Sequence, residues 1–547
     1  MFKVYFLIPI LIPLALIKGD FSLGVCHRFG RWLSRVAARP ALALALVGLL
    51  SLFISFGFGI GAGIPVPEIH DEFGYLLLGD TFAHGRLTNP TPPMWEHFET
   101  IHEIMRPTYA SKYPPAQGLA LAIGQILWKP ILGVWLTTAL ACAAMCWMFY
   151  AWLPARWALA GGLMVALHPQ TLEWSQDYWG GAIALGAGAL VAGGFRRLLD
   201  TLRARDSTAM GIGIALLANS RPYEGLVFSV LTGLALLMWM VKRGGIPWAL
   251  FLRRVVFPMA CVFALLACQL GYYNWRVTGN PLLMPYTVHI QTYAIDPLFV
   301  FSPPRKEPVY RHREIQNLQE QYLQYYEQER TSWTALVEAT LSKAAFLFQA
   351  YLWSLLFIVP LLALPWALRR DSHLQVALLI GLFFLALILI ETWMHSHYAA
   401  PGAPLFFVLV IASMRELGTW HSHGRRWGRT VIRGMAVLMA LSTVVTVVKL
   451  ARKDPGRTAW FSRRMDILDA LNREPQGSLV IVSYQPDHDP NCEWVYNGAD
   501  IPGSRVILAR DMGREQNAEL IAHYPGRKVW MINADAPQPS LEPYPGT

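Results

Sequence analysis

Charge is what this sequence lacks. Only 15% of its 547 residues are Asp, Glu, Lys or Arg, against 54% hydrophobic, and the mean hydropathy is +0.34. A soluble chain of this length would carry more charge and divide into several domains. Cysteine is scarce as well. There are six and no Cys-x-x-Cys; Cys142, Cys146, Cys261 and Cys268 lie within apolar runs, Cys26 in a basic stretch and Cys492 alone in the tail. That argues against a disulfide framework, a thiolate zinc centre or a redox pair. The chain also lacks a glycine-rich phosphate fingerprint, an internal repeat and a low-complexity linker, so no nucleotide site is indicated.

What is present is a series of apolar runs alternating with short basic stretches, the pattern of a polytopic membrane protein. Candidate spans are 41–63, 131–152, 157–172, 180–195, 208–222, 225–241, 255–272, 344–368, 374–391, 401–414 and 431–449. The run from Tyr5 to Ile17 is short, holds two prolines and ends at Lys18 without a small-residue cleavage site; it reads as an interfacial or marginally spanning helix. If the spans alternate, the basic clusters all fall on one side: Arg28 to Arg39, Arg156, Arg196 to Arg205, Lys242 to Arg254, Arg369 and Arg370, and Arg415 to Arg433. The net charge of +10 therefore reports orientation in the bilayer, not a nucleic-acid partner.

The opposite side, in a bacterium the periplasmic face of the inner membrane, receives almost all of the unusual polar sequence. Glu68-Ile69-His70-Asp71-Glu72 leaves the first main span at the water edge, where adjacent acids are costly and point to chemistry. Acids also cap helices, but one would suffice. The outer segment 64–130 is too long for a connector and rich in His, Trp, Tyr and Pro. It contains a helical pattern from Phe73 to Ala83 and then Ser111-Lys112-Tyr113-Pro114-Pro115 before an apolar helix at 116–128; both helices are expected to lie along the membrane. The second outer turn carries Glu173 and Asp177, the junction near 220 carries Arg221-Pro222-Tyr223-Glu224, and a late turn carries Glu391-Thr392-Trp393-Met394-His395-Ser396-His397-Tyr398. Carboxylates, imidazoles and an arginine thus reach one face from four segments, which fits a site open to lipid with a carboxylate base and cations for a phosphate. His395 and His397 could hold a metal with His70 or His289, though paired histidines at a membrane edge are more often hydrogen-bonded surface groups.

The tail changes character from about Arg452. Ser478–Tyr484, Arg505–Arg510 and Lys528–Ile532 read as strands and Glu515–His523 as a helix, a small α/β unit outside the membrane. The expected organisation is residues 1–40 as an apolar helix and basic cytoplasmic segment, 41–450 as the transmembrane domain with outer loops 64–130 and 273–343, and 451–547 as the extracytoplasmic domain. The stretch 305–330 reads as a solvated helix or a flap over the site.

Taken in order, these motifs resemble the GT-C superfamily of integral-membrane glycosyltransferases, in particular the branch with protein O-mannosyltransferases and the bacterial lipid A aminoarabinose transferase. The resemblance rests on Asp71-Glu72 after the first main span, Tyr113-Pro114-Pro115, an acid in the second outer loop, Arg221-Pro222-Tyr223-Glu224 and His397-Tyr398 ahead of Pro401, and covers roughly residues 41–410. It implies an α-helical polytopic fold of about 11–12 membrane helices and transfer of a sugar from a polyprenyl-phosphate donor, with inversion, to a protein, lipid or glycan acceptor. By that resemblance Asp71 is the general base, with Glu72 beside it, and Asp177 orients the acceptor or a cation. Lys112, Tyr113, Arg221, Glu224, His395, His397 and Tyr398 would bind substrate, with Arg221 and Lys112 on the donor phosphate. No cofactor is certain. A divalent metal is possible, but Ser111-Lys112-Tyr113 stands where some relatives place a metal-binding glutamate. The rival readings are a lipid-linked saccharide transporter or flippase, and a polysaccharide polymerase or ligase using the same donor.

Overall fold

The computed structural model describes residues 24–545 apart from 246, 354–355, 422–423 and 452–458, so the apolar stretch 5–17 lies outside the described residues. The chain is 66% helical. Among the described residues six helices are long and apolar enough to cross a membrane: Pro40–Gly61, Pro130–Trp152, Gly181–Thr201, Pro222–Arg243, Trp248–Thr278 and Trp427–Lys449. Ala155–Ala166, Ala204–Ala218, Ser372–Ile388 and Ala403–Leu417 complete the bundle with shorter helices. Proline opens several of these elements, at Pro40, Pro115, Pro130, Pro222 and Pro285, where its missing N–H costs nothing and its φ is already helical.

Two expected spans are interrupted by the same chemistry placed mid-run. Pro169 splits 157–172 into Ala155–Ala166 and Pro169–Trp174. The run 344–368 is not one span: its helix, Trp333–Tyr351, begins eleven residues earlier and ends there, and Pro360 and Pro365 leave only the short pieces Ile358–Leu361 and Leu364–Arg370.

Between the bundle and the outer face lies a layer built from the first outer loop. The helix His70–Ala83 crosses Pro115–Leu127 so closely that a Cβ on Gly79 would stand 2.7 Å from Leu121 Cβ, and one on Gly118 would stand 2.3 Å from Leu78 Cγ. Only hydrogen side chains permit that approach. The short strands β1 (Glu103–Ile104) and β2 (Ala110–Ser111) pair antiparallel within the same loop. Tyr75, Leu78, Tyr113, Trp135, Tyr178 and Tyr273 bury this layer against the membrane helices.

The tail forms a four-stranded sheet in the order β4-β3-β5-β6, with β3 (Ser478–Ser483), β4 (Val506–Arg510) and β5 (Lys528–Asn533) parallel and β6 (Glu542–Pro543) antiparallel at one edge. The helix Arg514–His523 crosses from β4 to β5, as the residue pattern predicts; the helix Ala459–Arg473 and β6 are additions. The sheet is not a free appendage. Leu77, Phe98, Met105 and Tyr109 of the outer layer share one apolar core with Leu479, Ile481, Ile507 and Leu520 of the tail. Arg510, at the end of β4, donates to the Glu99 carbonyl at 2.7 Å, to Glu314 at 3.1 Å and to Glu493. Asp80 accepts from the Ala499 amide at 2.7 Å.

Candidate active site

The ends of the membrane helices remote from the arginine clusters enclose a cavity of about 280 Å³. Asp71 comes from the first turn of His70–Ala83, Lys112 and Tyr113 from the approach to Pro115–Leu127, Arg221 and Glu224 from the start of Pro222–Arg243, and His395, His397 and Tyr398 from the turn after Ser372–Ile388. Eight of the ten residues singled out in the sequence therefore line one cavity. The other two do not. Glu72 is buried and turned inward, accepting from the amides of Glu68 at 2.7 Å and Tyr178 at 3.1 Å, so it ties the acid-bearing helix to the second outer turn. Burial carries its carboxyl up to about 7, against these backbone donors. Asp177 accepts from the Trp179 amide at 2.9 Å within its own turn and is not part of the cavity lining; burial, with Glu72 nearby, raises its pKa. Glu173 is held by Gln170 at 3.3 Å, away from the cavity.

Asp71 sits in a ring of donors. The Tyr113 hydroxyl donates to Oδ1, His70 Nδ1 lies 3.1 Å from Oδ2, and His102 Nε2 lies 3.6 Å from the same oxygen. Burial opposes the charge, but His102, the His70 hydrogen bond and the Lys112 ammonium outweigh it and hold Asp71 well below the usual carboxylate range. The side chain is 32% exposed, toward the cavity. Lys112 Nζ contacts His102 Nδ1 at 2.8 Å and lies over the rings of Tyr113 and Tyr286. Burial pulls Lys112 down to about 8, with Arg221 adding to the effect and Asp71 and Asp296 opposing it.

His70, Asp71 and His102 present ligand atoms within 4.8 Å of one another, which raises the question of a metal ion. Their protons argue against one. Ligation through His102 Nε2 requires a proton on Nδ1, and that proton would point straight at the Lys112 ammonium 2.8 Å away. The lysine is the cation this arrangement accommodates. The grouping expected of His395 and His397 with His70 or His289 does not form among the described residues: His395 and His397 stack on each other at 5.4 Å with Trp179 edge-on, while His70 and His289 pack against His102.

Arg221 lies over the Tyr398 ring at 4.8 Å and 3.9 Å from Glu224. The helices opening at Pro115, Pro222 and Pro285 bring their first residues to the cavity wall, so three helix dipoles add positive potential there, although the Ala116 amide is already bonded to the Asn219 carbonyl at 3.0 Å. The amphipathic helix Arg313–Gln328 lies over the acid end: Tyr322 OH is 3.4 Å from His70 Nε2, and Tyr325 stacks on Trp393.

Sequence reasoning missed Tyr75 and Tyr286 as cavity residues and His102 as an Asp71 partner, and it placed Glu391 on the right face without giving it a role. Tyr75 had a usable signal, since it follows Asp71 by four residues on one helix face; its ring stacks on Tyr113 at 4.0 Å. Tyr286 reaches the site from the short helix Pro285–Tyr293 and His102 from a turn, and no local pattern fixes the position of either.

This architecture, a bundle of membrane helices carrying a cavity at one end and a small tail sheet, is shared with solved structures of other proteins. Among solved structures the chain is similar to ArnT from Cupriavidus metallidurans in the apo state, with a TM-score of 0.53 and 14% identity over 90% of this chain and 92% of that one. It is similar to the same protein bound to undecaprenyl phosphate, with a TM-score of 0.52 and 13% identity over the same shares. At such identities the likeness establishes the fold. No family model matches the sequence, and the comparison with curated proteins found no match.

Proposed function

We propose that the chain transfers a sugar from a polyprenyl-phosphate donor to an acceptor hydroxyl, at the outer face of a bacterial inner membrane and with inversion. The observation that carries this reading is the shared cavity: a carboxylate held ionised at one end, and Lys112, Arg221 and three helix dipoles that favour a phosphate. The apolar side chains of Leu270, Met284 and Leu298 in the same wall suit the first units of a polyprenyl chain. The cavity fold's relative ArnT was determined with undecaprenyl phosphate bound, which is in keeping with such a donor.

In this mechanism Arg221 and Lys112 hold the donor phosphate and neutralise the charge that grows on it as the anomeric C–O bond breaks. Tyr398, His395 and His397 line the same region. Asp71 orients the acceptor hydroxyl on the opposite side of the anomeric carbon. A carboxylate held so low is a weak Brønsted base, so it takes the acceptor proton late, as the new C–O bond forms at an electron-poor carbon, and its charge stabilises that carbon before then. Glu72 and Asp177 act at a remove, fixing the turn that carries Trp179.

The test uses purified protein in lipid nanodiscs with a radiolabelled polyprenyl-phosphate sugar and a panel of acceptors. Asp71→Asn should lower transfer by about 100-fold or more while undecaprenyl phosphate binding persists. Lipid translocation without transfer by the wild-type protein would refute the reading.

A further inference from the structure

Two cavity acids have no role in the mechanism above: Glu224, which pairs with Arg221, and Glu391. Glu391 follows the helix Ser372–Ile388, and its backbone is fixed on three sides: it bridges to Phe299, Thr392 N–H donates to the Leu298 carbonyl at 2.9 Å, and Lys343 Nζ donates to the Glu391 carbonyl at 3.1 Å. Its side chain nevertheless has no such anchor. The residue is 3% exposed, it lines the cavity, and Oε1 is buried without a hydrogen-bond partner among the described residues. A carboxyl oxygen left without a protein partner, on the wall of a cavity that also carries Lys112 and Arg221, marks a contact open to a bound ligand.

We propose that Glu391 binds the donor phosphate as a neutral carboxylic acid, donating a hydrogen bond to a phosphate oxygen beside Arg221. This rests on the cavity being a polyprenyl-phosphate-sugar site. The neighbouring charges decide the protonation state. Arg221 has Glu224 as its ion-pair partner at 3.9 Å, and Lys343 is already paired with Glu329 at 2.7 Å. Two carboxylates cannot both ionise at close quarters in a buried site, so the acid without a cation of its own keeps the proton. Burial and then the Glu224 carboxylate place Glu391 well above the usual carboxylate range, against Arg221 and Lys343. A protonated carboxyl offers one O–H donor and adds no charge to repel a phosphate. Of the remaining polar groups near it, the Tyr286 and Tyr398 hydroxyls are neutral, and the Tyr223 hydroxyl donates to the Leu387 carbonyl at 2.9 Å.

The experiment measures undecaprenyl phosphate binding to the full chain in nanodiscs, with inorganic phosphate alone as a second arm and thermal melting as the folding control. Glu391→Gln keeps an N–H donor and should bind the lipid within about two-fold of wild type, whereas Glu391→Ala should bind it about ten-fold or more weakly. Glu391→Met, close in volume, replaces the alanine variant if that one does not fold. Unchanged affinity in Glu391→Ala or Glu391→Met would overturn the proposal, and so would tighter binding by Glu391→Gln, the mark of an ionised, repelling carboxylate. Glu391-dependent binding of inorganic phosphate without the lipid would overturn it in favour of a free-phosphate site. Wild-type protein that bound neither would overturn the donor reading together with this one.

Discussion

Lys112 offers a pH test of the donor site. Its ammonium contacts the Asp71 partner His102 at 2.8 Å, and burial brings its pKa down to about 8 in the free protein. Only the protonated form attracts a phosphate, so affinity is complete below that pH and lost as pH rises through it. With a pKa near 8, about nine-tenths of the protein carries the ammonium at pH 7 and about one-tenth at pH 9. Apparent affinity scales with that competent fraction, so undecaprenyl phosphate should bind about ten-fold more weakly at pH 9 than at pH 7. In Lys112→Arg the guanidinium stays charged throughout, and the slope should vanish even if the larger head lowers affinity overall. In Lys112→Met binding should be weak and flat. Equilibrium binding in nanodiscs at constant ionic strength reads all three. A wild-type affinity that is level between pH 7 and pH 9, or a slope that survives in Lys112→Arg, would refute the reasoning.

Tyr113→Phe removes one of the donors that keep Asp71 ionised; transfer should fall about ten-fold, and the acid limb of the pH–rate profile should move to higher pH as the carboxylate loses stabilisation. Arg510→Met strands Glu493 and Glu314 at the junction of tail, first outer loop and covering helix. Losing one partner of a buried ionic cluster costs about 3–5 kcal/mol, so limited proteolysis should release the tail sheet while the membrane helices stay protected. An intact, equally protease-resistant tail in that variant would show that the shared apolar core alone holds it.

Long apolar runs bounded by proline and arginine located the membrane helices, because the bilayer imposes length and polarity on each span separately. The run 344–368 failed for a local reason as well: its helix ends at Tyr351, just before Trp353 takes a left-handed φ of 46°, and the rest forms only the short helices Ile358–Leu361 and Leu364–Arg370. Short continuous apolar runs located β3, β4 and β5 within a residue or two, because strands covered on both faces call for apolar residues at successive positions. The shared face of Asp71, Lys112, Arg221 and His397 was legible through the sidedness of the basic clusters. By contrast, His102 reaches Asp71 only because the first outer loop folds back, and Glu391 reaches Arg221 only because a late turn packs against an earlier helix.

The pair Asp71 and Glu72 marks where sequence gives way to structure. Composition, span order and charge asymmetry were enough to put both acids at the end of the membrane helices remote from the basic clusters, since hydrophobicity and charge are summed along the chain. Which of them faces the cavity was not encoded locally. Successive helix residues point about 100° apart, so one acid had to look inward and the other outward. The choice fell to tertiary contacts: the amides of Glu68 and Tyr178 claimed Glu72, and Tyr113, His70 and His102 gathered around Asp71.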